Sequence, residues 1–241
     1  KREDSQIIIK VDAMELPTDE NNLIYKATKL LFEKRDVKEG VEITLTKRIP
    51  IAAGMAGGST DAAAVLKAVN KIFGLGLDDG ALMERGAKLG ADIPYCIMGG
   101  TALAEGIGER LTPLPKCPHF YLVIAKPGIS VSTKMVYGSL RLDDTIIHPD
   151  TEGIIEAITN KDVEGIADRL CNVLESVTVK EYPVIQDIKA EMIRYGALNS
   201  LMSGSGPTVF GIFTDENKAK ECNEYLRKSR MVRNSYVAEP V

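Results

Sequence analysis

The chain reads Pro-Ile-Ala-Ala-Gly-Met-Ala-Gly-Gly-Ser-Thr-Asp over residues 50–61, and the segments on either side of it differ in their hydrophobic period. Residues 41–47 alternate apolar and polar side chains, which predicts a half-buried strand. After the glycines, apolar side chains recur at helical spacing until Gly74, namely Ala62, Val65, Leu66, Val69 and Phe73. The stretch therefore predicts a strand, a glycine-rich loop and a helix in succession.

A glycine-rich loop before a helix suits an anion, because glycine lets the backbone approach closely and the helix N-terminus offers free N–H donors. We expect Gly57 and Gly58 on an exposed loop, with the Ser59 and Thr60 hydroxyls adding contacts to a phosphate or a bound cation. The alternative is a tight turn in which Ser59 caps the helix. The loop lacks the Gly-Lys-Ser/Thr of a Walker A motif and the spacing of a Rossmann fingerprint.

A second glycine cluster, Met-Ser-Gly-Ser-Gly-Pro at residues 202–207, lies between predicted strands at 197–203 and 207–213. Its spacing alone favours a hairpin turn. Two glycine loops in one chain nevertheless make a nucleotide clamp more credible than either loop does alone.

Asp92 is a single carboxylate among small and apolar residues, so it is a candidate for catalysis or for capping the next helical turn. His119 and His148 have no partner at an informative spacing. The chain contains neither a Gly-x-Ser-x-Gly elbow nor a His-Glu-x-x-His helix, which disfavours hydrolases and zinc proteases.

The remaining pattern predicts an α+β architecture in two lobes. Strands are predicted at 6–11, 101–105, 119–126 and 235–239, and helices at 79–89 and 215–227, with mostly helix between 129 and 195. Pro127-Gly128 is the clearest break, so we expect domains at 1–126 and 127–241. Whether the last strand returns to the first lobe is left open.

Composition limits the classes of partner. The 241 residues are 44% hydrophobic and carry a net charge of -4, which argues against coating nucleic acid or an anionic membrane. The four cysteines are far apart in sequence, which suggests neither a zinc site nor a disulfide framework. We therefore expect the protein to reside in a reducing cytoplasm. The longest apolar run, at 120–125, is too short for a membrane span.

The first glycine loop resembles the phosphate-binding motif of the GHMP kinases. Residues 53–63 are similar to the version Ala-Gly-Leu-x-Gly-Gly-Ser-Ser-Asp-Ala-Ala, with Met55 in place of leucine and Thr60 in place of serine. Residues 21–27, 89–94, 104–109 and 202–211 resemble further motifs of the same family, so the resemblance runs through most of the chain.

The resemblance implies an N-terminal lobe like domain 2 of ribosomal protein S5 and a ferredoxin-like C-terminal lobe. It implies ATP-dependent phosphorylation, with Mg²⁺, of the 2-hydroxyl of 4-diphosphocytidyl-2-C-methyl-D-erythritol in non-mevalonate isoprenoid synthesis. The alternatives are a homoserine or mevalonate kinase type and a non-catalytic nucleotide-binding protein. The expected partner is a small cytidine diphosphate substrate, without nucleic acid or membrane, on a monomer or homodimer.

The resemblance also assigns roles to residues. Asp92 would accept or orient the hydroxyl proton, and Gly204, Ser205 and Gly206 would border the substrate and the transferring phosphate. Thr133 and Tyr137 would lie near the cytidine, although Tyr137 could equally belong to the core. No protein ligand to a metal is assigned. The ATP phosphates would be wrapped by Pro50, Ile51, Ala52, Ala53, Gly54, Met55, Ala56, Gly57, Gly58, Ser59 and Thr60.

One family motif has no counterpart in this sequence. The first motif of the GHMP kinases is a strand with a catalytic lysine. In the members that act on the cytidyl substrate, a Tyr-His pair follows it and contacts the cytosine. We expect both to precede Lys1 in a longer natural protein, and we assign the role of that lysine to no lysine of the present chain. Phosphoryl transfer depends on positioning and electrostatic stabilisation, so we expect efficient turnover to require that segment.

Overall fold

The computed structural model describes residues 1–33, 38–141 and 147–241, which form two compact units. The first unit contains Lys1–Ile51 and Ala56–Pro113, and the second contains Ala52–Met55 and Leu114–Val241. Both units mix helices and strands, which confirms the expected two-lobed α+β fold.

Among its described residues, the first unit contains two small sheets and four helices. Its strands are β1 (Ile7–Val11), β2 (Val41–Leu45), β3 (Ala102–Glu105) and β4 (Arg110–Pro113), and its helices are α1 (Leu23–Glu33), α2 (Gly57–Phe73), α3 (Asp79–Ala87) and α4 (Ile93–Met98). Strands β1 and β2 are parallel, with Ile7 opposite Val41, and α1 is the crossover between them. The helices bury one apolar cluster that includes Leu31, Leu66, Leu82, Ile93 and Ile97.

The second unit is built on one antiparallel sheet in the order β6-β7-β5-β8. Its strands are β5 (Tyr121–Lys126), β6 (Asn199–Met202), β7 (Val209–Phe213) and β8 (Asn234–Ala238). Its helices are α5 (Thr133–Ser139), α6 (Thr151–Thr159), α7 (Val163–Asp168), α8 (Glu175–Glu181), α9 (Val184–Arg194) and α10 (Glu216–Lys228).

Both faces of this sheet are covered, which explains why β5 is almost entirely apolar. Successive side chains of a strand point to opposite faces. Val123 packs into a core with residues of α9 and α10, whereas its neighbour Leu122 packs against the cluster formed with α6 and α7.

The units differ from the expected domains at their boundary. Strand β5 is hydrogen-bonded between β7 and β8, so contacts place the start of the second unit at Leu114, before the break at Pro127-Gly128. Strand β8 pairs with β5 from Leu122 to Lys126, within the second unit. Strand β4 was not predicted, because Arg110–Pro113 is only four residues long and ends in a proline.

Within the described ranges, none of the helices has both the length and the apolar character that crossing a membrane would require.

Candidate active site

Helix α2 begins inside the glycine-rich segment. Ala56 occupies the N-cap position in the left-handed region, at φ 48°, and makes no side-chain cap bond. The first intrahelical bond runs from the Thr60 N–H to the Ala56 carbonyl, at 2.9 Å. The N–H groups of Gly57, Gly58 and Ser59 have no partner among the described residues, so this helix end presents three donors and the positive end of its dipole.

The structure corrects two expectations for this segment, namely the Ser59 cap and the exposed position of Gly57. Capping by Ser59 is wrong, because Ser59 is the third residue of α2 and Ala56 is the N-cap. The exposed-loop expectation for Gly57 is also wrong, since a Cβ there would lie 2.8 Å from Ile49 Cγ2 and 3.0 Å from Lys47 Nζ. Gly58 is exposed, and a Cβ on it would come no closer than 3.8 Å to Leu23 Cδ2. Gly57 therefore serves internal packing, whereas Gly58 keeps the helix end open.

A buried ion pair supports the first turn of α2. Lys47 Nζ donates to Asp61 Oδ2 at 2.5 Å, and the two side chains are 6% and 19% exposed. The Lys47 backbone N–H also donates to Asp12 Oδ1. Sequence reasoning missed this pair, because a lysine after β2 and an aspartate 14 residues later on α2 carry no local signal.

Asp92 precedes α4 in the first unit, and its carboxylate is not used for capping. It has the N-cap position of α4, with φ -80° and ψ -14°, and makes no side-chain cap bond. The side chain is exposed and has no hydrogen-bond partner among the described residues. An unengaged, solvent-facing carboxylate is available to accept a proton.

Helices α2 and α4 meet close to Asp92. The Thr60 hydroxyl lies 3.6 Å from Cys96 Sγ. Burial raises the pKa of the Cys96 thiol, the Thr60 hydrogen bond opposes that rise, and the Asp92 charge adds to it. Ser59 Oγ lies 4.0 Å from the position that a Cβ on Gly90 would occupy, two residues before Asp92. The first unit thus brings Ser59, Thr60 and Asp92 into one region.

In the second unit, the two glycine clusters contact each other. Ser203 Oγ donates to the Gly54 carbonyl at 2.7 Å. Gly54 has φ +71°, and a Cβ on it would lie 2.5 Å from the Ser203 carbonyl oxygen and 3.0 Å from that of Gly206. Residues 203–206 are also the turn of the β6–β7 hairpin, as their spacing favoured.

The proposed cytidine residues lie on α5. Thr133 Oγ1 is 2.8 Å from Ser205 Oγ, so the structure brings together two residues that are 72 apart in sequence. Tyr137 follows one helical turn later and is 61% exposed, which excludes the alternative that it belongs to the core.

The whole predicted ATP loop is divided between the units. Pro50, Ile51 and residues 56–60 belong to the first, whereas Ala52–Met55 belong to the second.

Comparison with known proteins identifies the family. The model for the GHMP kinases N terminal domain matches residues 22–100, and the model for the GHMP kinases C terminal matches residues 154–231. A 4-diphosphocytidyl-2-C-methyl-D-erythritol kinase of Lachnospira eligens is 52% identical over 236 residues, which are 98% of this chain and 82% of that relative. The chain belongs to the GHMP kinase family.

Solved GHMP kinase structures agree with this assignment. A crystal structure of a 4-(cytidine 5'-diphospho)-2C-methyl-D-erythritol kinase matches with a TM-score of 0.83 at 32% identity, over 99% of this chain and 83% of that one. The homoserine kinase from Cytophaga hutchinsonii matches with a TM-score of 0.80 at 22% identity, over 98% of this chain and 82% of that one. The second match shows the shared fold alone.

Proposed function

We propose that this GHMP kinase transfers the terminal phosphate of ATP to the 2-hydroxyl of 4-diphosphocytidyl-2-C-methyl-D-erythritol. The observation that carries the phosphate chemistry is the open N-terminus of α2, with three unpartnered N–H groups and an exposed Gly58. The choice of acceptor is supported by the name of the Lachnospira eligens relative, at 52% identity.

The ATP phosphates would bind at the start of α2. Backbone N–H groups and the helix dipole favour an anion there, and the missing side chain of Gly58 leaves room for it. The Lys47–Asp61 ion pair would stabilise the first turn of α2 without adding net charge to the phosphate site.

Asp92 would act on the acceptor. The acceptor oxygen forms a bond to the terminal phosphorus, and the bond from that phosphorus to the bridging oxygen of ADP breaks. The proton of the hydroxyl passes to an Asp92 carboxylate oxygen, which is free of protein hydrogen bonds within the described ranges.

Mg²⁺ would arrive with ATP, because the described residues include no group of three or more potential His, Cys, Asp or Glu ligands. Mg²⁺ is often bound through only one or two protein oxygens together with substrate phosphates. Asp61 is engaged by Lys47, whereas the Ser59 hydroxyl has no partner in the described part of the chain. Ser59 would therefore be its protein ligand, and the ion would neutralise charge on the phosphates.

The second unit would bind the cytidine half of the acceptor. Thr133 can hydrogen-bond, and the exposed ring of Tyr137 offers a face on which a base can stack. Gly204, Ser205 and Gly206 would border the transferring phosphate. The four cysteines are far apart in sequence and form no Cys-x-x-Cys pair, so we place this kinase in a reducing cytoplasm with small molecules as its partners.

The test is acceptor choice by the full-length protein with radiolabelled ATP. Label should pass to 4-diphosphocytidyl-2-C-methyl-D-erythritol and to neither homoserine nor mevalonate, with a reaction lacking acceptor as the control. Transfer to homoserine or mevalonate would replace the proposed acceptor. ATP binding without transfer to any of the three would indicate a nucleotide-binding protein.

A further inference from the structure

Three side chains on one side of α8 and the turn before it bind the same glycine loop. Glu175 and Thr178, three residues apart, share one face of α8, and Asn172 lies three residues before the helix begins. Asn172 Nδ2 donates to the carbonyls of Met202 and Gly204, both at 2.8 Å. Glu175 Oε1 accepts from the Met202 N–H at 2.7 Å. The Thr178 hydroxyl donates to the Ser205 carbonyl at 3.3 Å.

These hydrogen bonds engage carbonyl groups of the loop but leave two of its N–H groups without a partner in the described part of the chain. The carbonyls of Met202, Gly204 and Ser205 are all engaged by this face. The N–H groups of Gly204 and Ser205, in contrast, have no partner in the described part of the chain. Gly204 has φ +56°, and consecutive unpartnered N–H groups beside a left-handed residue form a backbone concavity that suits an anion.

The acidic residue among these three side chains is neutralised. Lys189 Nζ on α9 donates to Glu175 Oε2 at 2.6 Å, and the side chains are 16% and 19% exposed, respectively. An unpaired carboxylate beside the loop would repel a phosphate. Glu175 can therefore hold the Met202 N–H without opposing an anion at Gly204.

We propose that Asn172, Glu175 and Thr178 are positioning residues for phosphoryl transfer. They draw the carbonyls of residues 202–205 toward α8, so that the N–H groups of Gly204 and Ser205 face the phosphate being transferred. This inference rests on the proposed function, and it adds residues that no motif of the sequence singled out.

Two substitutions test the hydrogen bonds with little change in shape. Asn172→Asp keeps the Oδ1 acceptor that bonds the Leu174 N–H, but it removes the donor to the loop and adds a negative charge there. Thr178→Val adds no charge, so it tests the loss of a hydrogen bond separately from charge repulsion. Thr178→Val removes the buried hydroxyl, and Thr178→Ser restores it. We expect kcat to fall about a hundredfold in Asn172→Asp, as for a misplaced reacting group. In Thr178→Val it should fall about two- to tenfold, with recovery in Thr178→Ser.

A purely structural role predicts a different pattern, in which Tm falls and kcat per folded molecule is unchanged. Positioning predicts a lower kcat per folded molecule whatever the change in Tm, with ATP affinity altered less than about twofold, because the donors of α2 remain intact. In NMR spectra of the full-length protein, the Gly204 and Ser205 amide signals should shift on addition of ATP and acceptor analogue, and should shift less in Asn172→Asp.

The outcomes separate the two proposals. Lack of kinase activity in the wild-type protein would overturn the proposed function. An active wild type whose Asn172→Asp and Thr178→Val variants keep full kcat, with unresponsive Gly204 and Ser205 amides, would overturn the positioning role alone. If Asn172→Asp fails to fold, the comparison of Thr178→Val with Thr178→Ser decides.

Discussion

The Ser203 hydroxyl donates a hydrogen bond to the Gly54 carbonyl, joining two glycine clusters that are 149 residues apart in sequence. The close approach is possible because Gly54 has no Cβ. The second unit thereby includes four residues, Ala52–Met55, of a segment whose remainder belongs to the first unit.

Gly54→Ala should destabilise the protein by about 2–5 kcal/mol. The left-handed backbone costs an alanine about 1–2 kcal/mol, and the contact with the Ser203 carbonyl adds a typical overpacking cost of about 1–3 kcal/mol. Urea denaturation would measure the difference. Gly74→Ala is the matched control, because its φ is +62° and nothing lies within 4 Å of the added Cβ. Equal losses in the two variants would contradict the close contact at Gly54.

Gly58→Val should weaken ATP binding by at least about tenfold, which is about 1.4 kcal/mol. The side chain has room in the protein, so stability should change by less than about 1 kcal/mol. Calorimetric titration with ATP and a Tm measurement would separate the two effects.

Gly57→Val provides the contrast to this variant. Its side chain would meet Ile49 and Lys47, so the main expected effect is lower stability. Unchanged ATP affinity in a folded Gly58→Val variant would count against phosphate binding at the start of α2.

Asp92→Asn should lower kcat by about 10²–10⁴-fold, because an amide cannot take up the acceptor proton. ATP affinity should be nearly unchanged. Single-turnover kinetics would isolate the chemical step. Asp78→Asn is the control, since Asp78 caps α3 by accepting from the Ala81 N–H and asparagine caps equally well. If the kcat of Asp92→Asn equals that of this control, Asp92 is not the base that accepts the acceptor proton.

Asp61→Asn should cost about 3–5 kcal/mol of stability, because it leaves the nearly buried Lys47 ammonium without its partner. Glu224→Gln, which removes an exposed partner of Lys228, should cost less than about 1 kcal/mol. Chemical denaturation of both variants, together with Lys47→Met and the double variant Lys47→Met/Asp61→Asn, would measure the coupling between the two side chains. A loss in Asp61→Asn no larger than in Glu224→Gln would show that the pair does not support α2.

Local patterns predicted most elements, because periodicity and terminators act over a few residues. Gly74 does end α2, the helix predicted at 215–227 is α10, and the alternation at 41–47 does form β2. The start of α2 was predicted too late because Ala56 adopts a left-handed conformation that its residue type does not indicate.

The site depends more on contacts between distant segments. The motifs proposed Asp92, Gly58 and the 203–206 loop as site residues, but the pairing of Lys47 with Asp61 is made only in the folded chain. The hydrogen bonds of Asn172, Glu175 and Thr178 are likewise made only in the folded chain. The three-residue spacing of these side chains is ordinary in a helical sequence, so it does not reveal that they contact β6 and the turn after it.

Strand β6 is an outer strand of its sheet, and its last residue would otherwise present a free donor and a free acceptor to solvent. Glu175 accepts a hydrogen bond from the Met202 N–H, and Asn172 donates one to the Met202 carbonyl, so both groups are already occupied. An outer strand with occupied groups cannot template the addition of another strand at that point. The side chains that orient the loop thus also protect this margin of the sheet from edge-to-edge aggregation.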